Sequence, residues 1–510
     1  MTTTAAPGEL ETGYSHRAIQ LIMSGLMLGM LLSALDQTIV STALTTISRD
    51  FHRPDLYSWV VTSYLLTSTV TTPLYGKVSD LFGRKRVFQL AIVIFLGGSV
   101  LSGLSGSMYQ LIAFRGVQGL GAGGLMSLAF SIVGDVIPPR QRGRYQGYFG
   151  AVFGASSVLG PLIGGFLVDQ ASWRWVFYVN LPIGAVALVV INRVLHLDHT
   201  PRRAHIDWVG ALLLVAGVGL FLVGVQDAGQ TSRIDATSAA FGITGLLLSA
   251  AFVLWERHDP EPILPLRLFS NRIFTVANSM GFVTGAVMFG AIIFNPQYMQ
   301  VVRGVSPTMS GLRLLPLLGG LLITSIGSGR LVSSTGRYKH FVIAGTVITT
   351  VGFAWMTQLR VDTSLWVFSA MIFVVGAGLG LFMQILVLAV QNAVEMKDMG
   401  VATSSVTFFR TLGGAIGAAV LGAVLIQRQN ALTSPAFKAR HLVDVHAFTS
   451  ALDRCYEVAI PVSLVAVAMS FLLREVKLRN GPAANVTGEG DVLPVAESAA
   501  AANPMAVDGV

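Results

Sequence analysis

The chain has 510 residues, of which 53% are apolar and 12% charged, against about 25% charged in an ordinary soluble domain. That composition excludes a water-soluble enzyme. The single Cys455 allows no internal disulfide, and no CxxC or HExxH spacing accompanies the nine histidines, so neither a metal site nor a cofactor is expected. Clustered His, Asp or Cys of the kind an intramembrane enzyme needs is also missing from the sequence, and no enzymatic activity is expected.

Apolar runs fall at residues 19–43, 57–75, 88–106, 110–133, 145–168, 175–192, 208–226, 238–255, 273–299, 309–329, 341–359, 364–389, 403–427 and 457–473. Each is close to the ~20 residues that a helix needs to cross the hydrocarbon core. The expected fold is therefore an all-α polytopic membrane protein with fourteen transmembrane helices. The first run is too long for a secretory signal and carries Asp36, so it belongs to the mature chain. Residues 1–18 are expected as an N-terminal extension and 428–456 as a long outer loop. The Ala-, Gly- and Pro-rich stretch 480–510 reads as a disordered tail.

Charge sets the orientation, because short cytoplasmic loops retain Lys and Arg. With the N-terminus inside, 21 of the 34 basic residues fall on inner segments and three, Arg115, Arg313 and Arg410, lie within spans. Both termini are therefore expected in the cytoplasm, with the chain multi-pass in the cytoplasmic (inner) membrane. The formal net charge of +8 is accounted for by this asymmetry, without nucleic acid as a partner. Trp59, Trp173, Trp175 and Trp366 near outer span ends and Trp208 and Trp255 near inner ends suit an aromatic belt at the headgroups.

An internal repeat divides the chain. The loop after the second run reads GKVSDLFGRKR from Gly76, and the loop after the tenth reads GRLVSSTGRYK from Gly329. Gly76 to Gly83 and Gly329 to Gly336 have the same spacing, and the loops lie eight spans apart on one side of the membrane. Two six-helix halves in parallel repeat would place them six apart. Two extra helices, within 208–255, are therefore inserted between a first bundle at 19–192 and a second at 273–473.

Four stretches carry a family resemblance. Gly76 to Arg86 resembles the signature loop between helices 2 and 3 of the major facilitator superfamily. Arg115-Gly116-Val117-Gln118-Gly119 resembles its helix 4 motif. Gly154 through Gly160-Pro161-Leu162-Ile163-Gly164-Gly165 resembles the helix 5 motif of its exporters, with Ser156 replacing an earlier glycine. Leu35-Asp36-Gln37-Thr38-Ile39-Val40 resembles the helix 1 motif of the fourteen-helix branch of drug:proton antiporters, although Ser41 and Thr45 depart from it. The resemblance implies the major facilitator fold, two six-helix bundles plus two inserted central helices. It also implies proton-coupled multidrug efflux of the kind that confers antibiotic resistance. A dedicated exporter of a single cellular metabolite or lipid-like compound is the alternative.

Asp36 is the acid deep inside a span, where an ionised carboxylate is costly unless it is paired or faces water. Counting along the helices places it ~10 Å below the outer surface and Arg115 ~8 Å below it, at a shared depth. A carboxylate that moves between wet and dry surroundings can load and release a proton. Asp36 is thus expected as the proton carrier and Arg115 as its modulator. At the inner loop, Gly76, Asp80, Gly83 and Arg84 are expected to form a conformational latch, with Asp80 receiving a helix N-terminus or an arginine across the halves. The repeat has Ser333 in place of Asp80. Gly154, Gly160, Pro161, Gly164 and Gly165 mark helix 5 as a rocking, gating helix. In the second half, Phe289, Phe294, Asn295, Gln297, Tyr298, Met383 and Gln384 are expected to line a cavity for an apolar or cationic organic compound. No Walker A motif (GxxxxGK[ST]) is present, which argues against direct ATP drive.

Overall fold

The computed structural model describes residues 16–53, 56–195, 207–231, 235–433, 444–476 and 478. Most of the N-terminal extension, the tail at 480–510 and part of the outer loop expected at 428–456 lie outside the described residues. The fold is helical throughout these residues. The first half comprises α1 (His16–Asp50), α2 (Tyr57–Phe82), α3 (Arg84–Leu104), α4 (Met108–Val136), α5 (Pro139–Gln170) and α6, which is broken into Trp175–Tyr178 and Asn180–Val194. Two helices follow, α7 (Trp208–Thr231) and α8 (Ala236–Glu256). The second half holds α9 (Arg272–Gln297), α10 (Leu315–Thr335), α11 (Lys339–Met356), α12 (Leu365–Ala393), α13 (Met399–Leu432) and α14 (Val445–Leu472).

Among the described residues, eleven helices are both long and apolar enough to cross a membrane. The other three of the fourteen are α2, α5 and α9, with 26, 32 and 26 residues. At 1.5 Å per residue each exceeds the ~30 Å hydrocarbon thickness. Helices α1, α4, α5, α8 and α13 outrun their apolar runs at both ends, because helical hydrogen bonding continues past the last apolar residue. The difference is largest at the outer loop expected at 428–456: α13 reaches Leu432 and α14 starts at Val445, so much of that stretch is helical. Asp444 caps α14 by accepting the N–H groups of His446 and Ala447, and Arg454 pairs with Glu457 one turn apart at 2.6 Å. These charges shorten the apolar run without breaking the helix.

Packing follows the repeat. In the first half α1 packs on α5 and α6, α4 on α2 and α3, and α3 on α6; in the second, α9 packs on α13 and α14, α12 on α10 and α11, and α11 on α14. The halves meet through α5 against α10 and α2 against α13, again an equivalent pair. α7 and α8 pack on each other, and α7 also leans on α13 and α2. Both repeated loops turn on their second glycine, Gly83 at φ 93° and Gly336 at φ 70°. A side chain is disfavoured at both, which explains why the repeat keeps glycine at those two positions.

Candidate functional site

Asp36 lies completely buried on α1, and donors from two other helices converge on it. Arg115 Nη1 of α4 donates to Oδ2 at 2.5 Å. Gln118 Nε2, one turn further along α4, donates to Oδ1 at 2.8 Å, and Asn180 Nδ2 of α6 donates to the same oxygen at 3.0 Å. Ser99 Oγ of α3 receives both amides, at 3.1 Å from Gln118 and 3.0 Å from Asn180, and donates to the Phe177 carbonyl. The break in α6 between Tyr178 and Asn180 brings the asparagine inward. Arg115 also donates to Gln118 Oε1 at 2.7 Å and lies 4.2 Å above the Tyr64 ring. The buried charge is therefore balanced by a guanidinium and hydrogen-bonded to amides, as a carboxylate away from water requires.

Depth alone pairs Asp36 with Arg115. Ser99 and Tyr64 carry no signal in the sequence, and Gln118 stands out only as part of the helix 4 motif, although it lies three residues beyond Arg115 and so shares its face. Asn180 likewise carries no sequence signal for a role at Asp36.

α5 connects this network to the seam between the halves. It runs unbroken through Pro161. A Cβ on Gly160 or Gly164 would overlap Thr38 Oγ1 or Thr42 Oγ1 of α1, and Thr38 Oγ1 donates to the Ser156 carbonyl at 2.9 Å. About two to five turns closer to the N-terminus of α5 than Gly160, the contacts change partner. Gly154 faces Leu322, Gly150 faces Leu321 and Ser325, and Gly143 lies against the Gly329 backbone, all on α10. Gly165 is half-buried. The glycines thus divide: Gly160 and Gly164 join α5 to α1, whereas Gly154 belongs to the contact between halves.

At the end of α2 the halves are held by the Asp80 carboxylate. Its Oδ1 and Oδ2 accept the N–H groups of Gly400 and Val401 at 3.2 and 3.1 Å, at the first turn of α13. Such unpaired N–H groups and the helix dipole favour an anion there. Arg84 pairs with Asp80, donates to Asp135 at 2.8 Å and to Ser79 Oγ at 2.6 Å. Gly76 fits against Ser404 and the Gly400 carbonyl, where a Cβ would collide. Gly83 supplies the turn described above. Lys77 reaches Glu261, between α8 and α9, at 2.5 Å, and Gln391 of α12 donates to the Phe130 carbonyl of α4 at 2.9 Å. In the equivalent seam Ser333 donates within its own helix to the Gly329 carbonyl, so that seam carries no acid at the Asp80 position.

The residues expected to line one cavity in the second half are not gathered. Asn295 is buried and accepts from the Tyr456 hydroxyl at 2.8 Å. Tyr298 is buried, stacks on Phe368 and donates to the Arg360 carbonyl. Gln297 between them is exposed, because successive helix positions are ~100° apart. Phe294 is packed in the core, and the Phe289 side chain lies outside the described residues. Met383 and Gln384 on α12 are half-buried.

The Major Facilitator Superfamily signature matches residues 26–418. An uncharacterised MFS-type transporter of Mycobacterium tuberculosis is 39% identical over 524 aligned positions, covering 97% of this chain and 76% of the relative. The multidrug transporter protein MdtP of Bacillus subtilis is 40% identical over 414, covering 81% of this chain and 76% of its own. Among solved structures, the human organic anion transporter MFSD10 superposes with TM-score 0.64 at 17% identity, covering 89% of this chain and 99% of that one. The proton:xylose symporter XylE does so with TM-score 0.64 at 15% identity, covering 91% and 98%. At those identities the likeness to solved structures concerns the fold. With the sequence match spanning most of the chain, the protein is a multi-pass membrane transporter and belongs to the Major Facilitator Superfamily.

Proposed function

We propose that this transporter is a proton-coupled antiporter of the fourteen-helix branch, exporting small organic compounds across the cytoplasmic membrane by alternating access. The first and second six-helix halves are its moving bodies, and both termini face the cytoplasm. The observation that carries this reading is the buried Asp36 carboxylate, held by Arg115, Gln118 and Asn180. Protonating Asp36 at Oδ2 would set an O–H against the Arg115 guanidinium. That contact would have to open, separating α1 from α4. Because Gly160 and Gly164 tie α5 to α1, the displacement is passed to the seam where α5 meets α10.

The Asp80 contact with Gly400 and Val401 supports a latch that holds the cytoplasmic end closed in this conformer. One proton moving through 100 mV supplies about 2.3 kcal/mol, enough for roughly a fifty-fold gradient of a neutral compound. The relatedness to multidrug transporters supports a broad organic substrate range and a place in antibiotic resistance. The test is proton release from everted vesicles on adding substrate, comparing wild type with Asp36→Asn. Release that depends on the compound in wild type and vanishes in the variant supports the antiporter. Undiminished proton-driven transport by Asp36→Asn would overturn it.

A further inference from the structure

A second buried polar cluster lies in the opposite half, unused by the proton site. Arg410 of α13 is 7% exposed. Among the described residues it has neither an acidic partner nor a hydrogen-bond acceptor, in contrast to Arg115 on its carboxylate. Three buried polar atoms, one each on α13, α9 and α12, lack hydrogen-bond partners among the described residues: Thr407 Oγ1, Asn278 Oδ1 and Gln384 Oε1.

Their placement follows from the helix contacts. Thr407 precedes Arg410 by one turn. α9 runs parallel to α13, with Gly285 closed against the Arg410 backbone and Gly281 against Val406. Asn278, one turn before Gly281, therefore meets α13 one turn before the Val406 to Arg410 level, at Thr403 to Thr407, which is the direction in which a helical Arg410 side chain reaches. α12 runs antiparallel to α13, and Gln391 donates to Thr403 Oγ1 at 3.3 Å. Seven residues back along α12 is Gln384, and seven forward along α13 is Arg410. Both shifts cover about two turns, or ~10.5 Å, in the same direction, so both residues keep their faces and share a level.

We propose that Arg410, with Asn278, Thr407 and Gln384, binds the acidic group of an amphipathic organic substrate. This inference rests on the transport reading and names the substrate class. A guanidinium presents a planar fork of N–H donors matched to a carboxylate, which would replace the missing counter-ion. Thr407 can donate or accept, and the two amide oxygens take hydroxyl or N–H groups beside the acid. The site therefore favours organic anions over the apolar or cationic compounds that the aromatic and Met side chains suggested. The charge of Asp36 is already taken by Arg115, so it is not free to attract a cation.

The probes are 7-(diethylamino)coumarin-3-carboxylate and its ethyl ester, which share one ring system and differ in the acid. Binding to the full-length protein in nanodiscs, read by fluorescence anisotropy without a proton gradient, is expected to favour the acid at least ten-fold. Arg410→Gln should abolish that preference and Arg410→Lys should keep part of it. Asp36→Asn should keep the preference while losing proton-driven accumulation of the acid in everted vesicles. Equal binding of acid and ester by wild type would overturn the proposal, and this comparison needs no variant to fold. So would an unchanged preference in monodisperse Arg410→Gln. Preferential binding of the acid with no proton-driven accumulation by wild type would instead sink the antiporter reading and leave the site standing.

Discussion

Gly160 of α5 stands so close to Thr38 of α1 that a Cβ there would overlap the threonine Oγ1 and lie 3.1 Å from its backbone carbon. Thr38 is two residues from Asp36, so this contact is where the helix bearing the buried acid touches the helix bordering the other half. Adding a methyl group at such a contact costs about 1–3 kcal/mol in strain. Gly160→Ala is expected to reduce dye efflux about ten-fold at equal membrane expression. Gly319→Ala on α10, where a Cβ meets open space, should leave efflux unchanged. Equal efflux by the two variants would show that the closeness of α5 and α1 is not needed for transport.

The bilayer is why so much of this fold was legible. A crossing helix must be apolar for ~20 residues, so every helix left a mark in hydropathy. A charge that violates the pattern was equally visible, as with Asp36 and Arg115, and counting residues from the span ends placed them at one depth. Ser99, Tyr64 and Asn180 left no such mark. Hydroxyls and single amides are tolerated in membrane helices, and their convergence depends on the rotation of α3, α2 and α6 about their own axes. The break at Val179 that turns Asn180 inward is likewise a tertiary outcome. For the same reason Asn295, Gln297 and Tyr298 were grouped as one lining, although their helix faces differ. The Asp80 loop stood out because a lone acid among four bases is unusual. Its partners, two backbone N–H groups 320 residues away, have no side-chain signature.

Gln118 donates to Asp36 and lies within hydrogen-bond distance of Ser99 and Arg115. Gln118→Leu removes a donor to a charged group, an interaction worth about 1.5–3 kcal/mol. The expected result is a loss of about ten-fold or more in substrate-dependent proton release from everted vesicles, with the amount of folded protein within two-fold of wild type. Gln118→Glu should be worse still, because it sets a second carboxylate beside Asp36. Normal proton release by Gln118→Leu would show that Arg115 and Asn180 suffice to hold the acid.

Asp80 accepts two N–H groups of α13 while paired with Arg84. Asp80→Asn keeps one acceptor oxygen and loses the charge that favours a helix N-terminus, a change of about 1–2 kcal/mol in partly buried geometry. The seam should then open more often. A cysteine placed at half-buried Ser333, in a Cys455→Ser background, is expected to react several-fold faster with an impermeant thiol reagent in everted vesicles when Asp80 is Asn. An unchanged labelling rate would mean that Asp80 does not hold this end closed.

The two repeated loops turn on glycines of different strain. Gly336 sits at φ 70°, ψ 5°, the left-handed region that asparagine tolerates, and a Cβ there meets nothing. Gly83 sits at φ 93°, ψ 136°, a combination open to glycine and closed to residues with a side chain. Forcing a side chain into such a region costs about 1–3 kcal/mol, whereas asparagine in the left-handed region costs less. Gly336→Asn should therefore express and melt close to wild type. Gly83→Asn should lower the yield of monodisperse protein and its Tm by several degrees, and the loss should persist in an Asp80→Asn background if it comes from backbone strain and not from the latch. Equal melting of the two variants would refute the assignment of strain to Gly83.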